Sequence, residues 1–119
     1  MDYTGKRAWI YAYIEAPEDN HGVLKGQEKE LYNYSEQMGL ILSGISSDLD
    51  IGSNINMTGL EQVIAAALDR RFDVLLIKNT DRLRRTNGRT AEIFRQLYEL
   101  GVTAYSPTEG EISLGSLLL

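Results

Sequence analysis

The tightest constraint on the fold is a nearly unbroken apolar run, Phe72-Asp73-Val74-Leu75-Leu76-Ile77, followed by the basic stretch Thr80-Asp81-Arg82-Leu83-Arg84-Arg85. A run this short and this apolar suits a central parallel strand, covered by helices on both faces. The residues after it do not suit a core, because guanidinium and carboxylate groups are costly to bury. Open α/β sheets hold their ligands at the carboxyl ends of the strands, where Asp81, Arg82, Arg84 and Arg85 would fall. A guanidinium is planar, permanently charged and well matched to phosphate. The pattern therefore predicts a phosphate site, including the phosphates of a nucleic-acid backbone. The same spacing also fits a solvated, basic start to the next helix.

The remaining chain supplies the other layers. Arg7 to Ile14 is rich in aromatic and β-branched residues and reads as a first strand. Pro17, Asp19, Asn20 and Gly22 mark a loop. Leu24, Leu31 and Met38, with Tyr34 between them, form one helical stripe that Gly39 stops. Leu40 to Ile45 reads as a second strand, and residues 46–57 as a polar surface loop. Thr58-Gly59-Leu60-Glu61 has capping-box spacing ahead of Leu60, Val63, Ile64, Ala67 and Leu68 at helical spacing. A third helix is predicted from about Thr90 to Leu100, stopped by Gly101, and a fourth strand over Val102 to Tyr105. Ile112 to Leu119 is apolar and reads as a last edge strand or the start of a further element, and Leu114 with Leu117 to Leu119 as an exposed apolar tail unless paired. Strand and helix alternate three times, so the predicted fold is a three-layer α/β/α domain on a mostly parallel sheet of four to five strands, spanning residues 1–119 as one domain.

Charge and composition narrow the function. The net charge is -5, which by itself argues against nucleic acid, but the charge is segregated. Residues 70–95 carry eight basic and three acidic side chains, the other residues four basic and fourteen acidic. That segregation leaves room for a local basic surface on an acidic body, although chance segregation is common in short chains. With no cysteine there is no disulfide, thiolate metal site or cysteine nucleophile, and His21, the one histidine, reads as a solvated loop residue. Asp48 and Asp50 alone are a weak metal-ligand pattern, so no metal is predicted. Ser46, Ser47 and Ser53 have no identifiable basic partner to make them nucleophiles. Trp9 is expected in the core or an interface, and at most one of Tyr11 and Tyr13 is expected to face a pocket. No apolar run approaches the roughly 20 residues of a membrane span, and the first residues lack a signal-peptide layout, so a cytoplasmic protein is expected.

Tyr11-Ala12-Tyr13-Ile14-Glu15, Gln27, Ile51-Gly52, Met57-Thr58-Gly59-Leu60, Asp81-Arg82-Leu83-Arg84-Arg85 and Gly101-Val102, in this order, resemble the catalytic domain of the serine recombinases, the resolvase and invertase family. The resemblance covers roughly residues 7–112. It implies a resolvase-like fold, an association with DNA and assembly through the carboxyl-terminal end as a homodimer or with a related recombinase. In that family a serine hydroxyl attacks a phosphodiester, arginines hold the phosphate, and the bond energy is kept in a phosphoserine link. No metal or nucleotide cofactor is implied.

The resemblance departs at the chemistry. Glu15 stands at the serine position, Tyr13 and Met57 at arginine positions and Ile51 at a loop-serine position, while Asp81, Arg82 and Arg85 match and Arg84 adds a guanidinium. The family's long dimerisation helix and helix-turn-helix DNA reader are expected to be missing, since the sequence ends at Leu119. The function expected is a non-cleaving, DNA-associated or recombinase-interacting domain that touches DNA through its basic loop. Two alternatives stand beside it: an unrelated small α/β phosphate- or nucleotide-binding module, although no glycine-rich phosphate loop is present, and a protein-interaction domain without DNA binding.

Overall fold

Alternation at period two builds the central strand. The computed structural model describes residues 3–14, 21–51, 54–55, 58–80 and 88–117. Strand β1 (Arg7–Ile14) turns Trp9 and Tyr11 to one face and Ala8 and Ile10 to the other, and all four are buried. It pairs in parallel with β2 (Ile41–Ile51) on one side and β4 (Val74–Leu76) on the other. Beyond β4 lies β5 (Thr103–Ser106), also parallel. Two antiparallel edges finish the sheet: β3 (Asn54–Ile55) against the end of β2, and β6 (Gly110–Ile112) against β5. The order is β3-β2-β1-β4-β5-β6, a mostly parallel sheet that exceeds the expected count by the two-residue β3 at its edge.

Helix α1 (Val23–Gln37) packs on β1 and β2 with Leu24, Gln27, Leu31 and Ser35 inward. Ile10, Leu31 and Leu76 form the apolar centre of that layer. The other face carries α2 (Thr58–Leu68), α3 (Gly88–Glu99) and the short α4 (Leu114–Leu117). There Leu60, Val63, Ile93, Phe94 and Leu97 close over Trp9, Tyr11 and Leu75. Fully burying an aliphatic or aromatic side chain of this size stabilises by roughly 1.5–3 kcal/mol, so the larger cluster dominates the core. Helices α1 and α3 each give way at a glycine in the left-handed region, Gly39 at φ 72° and Gly101 at φ 81°.

Three sequence expectations change. Residues 46–51 are not loop but the second half of β2, whose polar side chains Ser46 and Asp48 point inward and are buried. A polar alternation reads as loop only until its inward partners are known. The third parallel strand is three residues long rather than six, although Phe72 and Ile77 on either side of it stay buried. Leu114 is not an exposed tail residue: it is 2% exposed and belongs to the larger core. As expected, Trp9 is in the core and His21 is exposed. No helix among the described residues is long and apolar enough to cross a membrane.

Candidate functional site

The chain leaves β1 toward β2 on one side and returns to β4 on the other, so the strand order reverses between β1 and β4. Such a switch point opens a crevice at the carboxyl ends of the strands, the usual ligand position of open α/β sheets. Pairing of β1 with β4 runs only from Ala8 to Ile10, whereas β1 continues to Ile14 against β2. Past Ile10 the two strands part. The gap holds a small recess of about 20 Å3, lined by Tyr11, Tyr13, Gln27, Ile77, Lys78, Asn79 and Phe94. That is room for about one water molecule.

Both tyrosines line the recess, which corrects the expectation that at most one would. Residues two apart on a strand share a face, so Trp9, Tyr11 and Tyr13 lie together on the larger core. Gln27 reaches into the gap from α1. Its Oε1 accepts the Tyr13 amide at 2.9 Å, and its Nε2 donates to the Tyr13 carbonyl at 3.1 Å. One side-chain amide thus pairs both backbone groups of Tyr13.

On the β4 side, the turn between β5 and β6 clasps the outgoing chain. The Lys78 carbonyl accepts the Ser106 hydroxyl at 2.6 Å and the Thr108 hydroxyl at 3.2 Å. Glu109 accepts the Thr80 amide at 2.7 Å and the Thr80 hydroxyl at 3.1 Å. Lys78 and Thr80 are therefore fixed immediately before Asp81. Sequence patterns did not mark Lys78 or Glu109, because neither belongs to a motif and the clasp joins segments about 30 residues apart.

The far wall is organised by Asp48, 1% exposed. Its carboxylate accepts the Tyr11 hydroxyl at 2.6 Å, the Gly59 amide at 2.7 Å and the Leu60 amide at 2.9 Å. Asp48 is thus the long-range cap of α2, where a negative charge also meets the positive end of the helix. The capping box predicted at Thr58 and Glu61 gives way to this arrangement: Glu61 instead holds Arg89 of α3, accepting from Nε and Nη2 at 3.2 Å each. Beside Glu61 the Arg89 guanidinium is held above its ordinary range, chiefly by these hydrogen bonds. Ser46 accepts the Trp9 indole at 2.9 Å and donates to the Gly59 carbonyl at 2.8 Å, a structural role rather than a nucleophile's. No cluster of three or more potential metal-ligating side chains occurs among the described residues.

Of the residues singled out from the sequence, Tyr13 and Gln27 meet at the recess. Glu15, Met57, Asp81, Arg82, Arg84 and Arg85 lie outside the described residues, as does Ser53. Ile51 pairs with Asn54 at the outer hairpin. The positions preceding Glu15 and Asp81 are Ile14, the last residue of β1, and Thr80, a few residues past the end of the neighbouring parallel strand β4.

A doubly wound α/β/α domain with a recess at the switch between its first and third parallel strands is the class this geometry defines. Residues 10–116 match the family described as Resolvase, N terminal domain, and the chain belongs to it. Among solved structures, the C-terminal catalytic domain of ISC1926 TnpA, an IS607-like serine recombinase, is 25% identical with a TM-score of 0.67, over 84% of this chain and 68% of that one. The N-terminal catalytic domain of TP901-1 integrase is 22% identical with a TM-score of 0.70, over 94% and 88% of the two chains. A resolvase family site-specific recombinase from Streptococcus pneumoniae shares the fold with a TM-score of 0.74 at 11% identity, over 94% and 83%. Comparison with curated protein sequences finds no match. Family membership sets aside the alternative of an unrelated phosphate- or nucleotide-binding module.

Proposed function

We propose that this chain, as one domain over residues 1–119, holds a DNA backbone without cleaving it and acts in the cytoplasm as a homodimer or beside a related recombinase. The observation that carries this reading is Tyr13: its side chain lines the recess at the switch point, where the family resemblance calls for a guanidinium. A neutral phenol donates one hydrogen bond but does not balance the charge of a phosphate in its transition state. Losing one such donor costs roughly 2.7–4 kcal/mol of transition-state stabilisation, and Met57 removes a second in this reading. Glu15 in place of the serine adds a carboxylate that repels a phosphodiester by roughly 4 kcal/mol at about 4 Å and an effective dielectric of about 20. Together these terms amount to several orders of magnitude in rate.

In this reading Asp81, Arg82, Arg84 and Arg85 form the phosphate-contacting segment, and Glu15 pairs with Arg82 or Arg85. The test is binding to labelled duplex DNA by anisotropy at low and moderate salt, beside Arg82→Ala/Arg85→Ala and Glu15→Gln, with denaturing gels to detect covalent protein–DNA adducts. Salt-sensitive binding, weakened in the arginine variant, strengthened by Glu15→Gln and without adduct, is the expected result. A covalent adduct of the unmodified chain refutes the non-cleaving reading, and absence of binding refutes the DNA reading.

A further inference from the structure

Lys78 leaves the end of β4 in the wall of the switch-point recess, beside Tyr13, Gln27 and Asn79. The side chain is exposed, yet the backbone that carries it is held on both sides. Two hydroxyls, from Ser106 and Thr108, converge on its carbonyl at 2.6 and 3.2 Å, and Glu109 grips Thr80 through amide and hydroxyl at 2.7 and 3.1 Å. The carboxylate nearest in the clasp, Glu109, is thereby committed to Thr80. Among the described residues Lys78 has no carboxylate within ion-pair range, unlike Arg7, Arg71 and Arg89. An unpaired cation on a clamped backbone loses less freedom on meeting an anion than one on a mobile loop.

We propose that Lys78 is a phosphate-contacting residue of this site, supplying at the recess the positive charge that Tyr13 does not. The proposal rests on the DNA-backbone reading above and adds a residue to it. An ammonium suits the task as a point charge: it attracts a phosphate without the two-pronged geometry by which a guanidinium grips one. That is the chemistry of holding a backbone rather than of activating a nucleophile against it.

The experiment is duplex DNA binding by the full chain across a salt series, comparing Lys78→Gln, Lys78→Arg and Lys6→Gln. Lys6 precedes β1 and so lies at the amino-terminal end of the parallel strands, the end opposite the recess. Removing one phosphate contact lowers the slope of log affinity against log salt by about 0.9. Lys78→Gln is expected to lower it by that amount and to weaken binding roughly threefold to tenfold at low salt. Lys78→Arg is expected to restore the slope, and Lys6→Gln to leave it unchanged. Thermal midpoints of the Lys78 variants should equal that of the unmodified chain, because the side chain is exposed.

An unchanged slope in Lys78→Gln, while Arg82→Ala/Arg85→Ala loses binding, overturns the proposal and leaves the DNA reading standing. An equal fall in Lys6→Gln also overturns it, since net charge alone then accounts for the effect. If the unmodified chain fails to bind duplex DNA at any salt, the DNA reading falls and this proposal falls with it.

Discussion

Removing the Asp48 carboxylate should remove a large part of this domain's stability margin, because one buried side chain of β2 serves three donors on two other elements, β1 and α2. Asp48→Ala leaves the amides of Gly59 and Leu60 and the Tyr11 hydroxyl without that acceptor. Each buried donor left unsatisfied costs roughly 1–3 kcal/mol, and loss of a helix cap alone costs about 0.5–2 kcal/mol. The amides at the helix start recover part of this by rearranging, so the expected total is about 3–5 kcal/mol. Domains of this size have roughly 5–15 kcal/mol in all. At roughly 3–5 °C per kcal/mol for a chain of this length, the thermal midpoint should fall by about 10–20 °C. Tyr11→Phe removes one hydroxyl and leaves Asp48 with both amides, so it should cost only about 1 kcal/mol. The double variant has no orphaned hydroxyl and should be milder than the sum of the singles by about 1 kcal/mol. Urea unfolding followed by circular dichroism and by fluorescence of Trp9, the one tryptophan, measures all three. A cost below about 1 kcal/mol for Asp48→Ala, or strict additivity with Tyr11→Phe, refutes the shared-acceptor account.

Three further outcomes follow from the packing. Burial, then the hydrogen bond to Glu111, pushes the Tyr3 hydroxyl well above its ordinary value of 10.0; its contribution is present below pH 10 and drains away as pH rises toward the folded-state value, so thermal midpoints between about pH 9 and pH 11 should fall less steeply in Tyr3→Phe than in the parent. Gly59→Ala would set a Cβ 2.4 Å from the Ser47 carbonyl oxygen, backbone against backbone, and should cost about 3 kcal/mol or more in urea unfolding; an unchanged midpoint would contradict the close approach of α2 to β2. Arg89→Ala breaks an ion pair between side chains that are both about half exposed, 46% and 45%, so the midpoint should drop slightly at low salt and match the parent at about 1 M salt, where charges are screened beyond about 3 Å.

The layers of this fold were legible because they rest on repeating patterns. The apolar stripe of α2 and the continuous run into β4 gave two elements, and the glycines after α1 and α3 gave their ends. What escaped prediction were positions where polarity is spent internally. Ser46 and Asp48 look like loop residues until Trp9, Tyr11 and the start of α2 are seen to bond to them. Leu114 looks exposed until α4 folds it back onto the larger core. The site divides the same way. Tyr13 and Gln27 came from motif order, whereas Lys78 and the Glu109 clasp depend on a hairpin that brings distant segments together. Such contacts leave no periodic trace in sequence.

The Gln27 amide has a consequence for what this chain tolerates at position 13. Where β1 and β4 part, it stands in for the missing strand neighbour of Tyr13 and keeps both backbone groups of that residue bonded. The opening between β1 and β4 is therefore supported by a residue of α1. The ring at position 13 can be exchanged without removing either of those main-chain bonds. Tyr13 stays bonded through its main chain whatever its ring does.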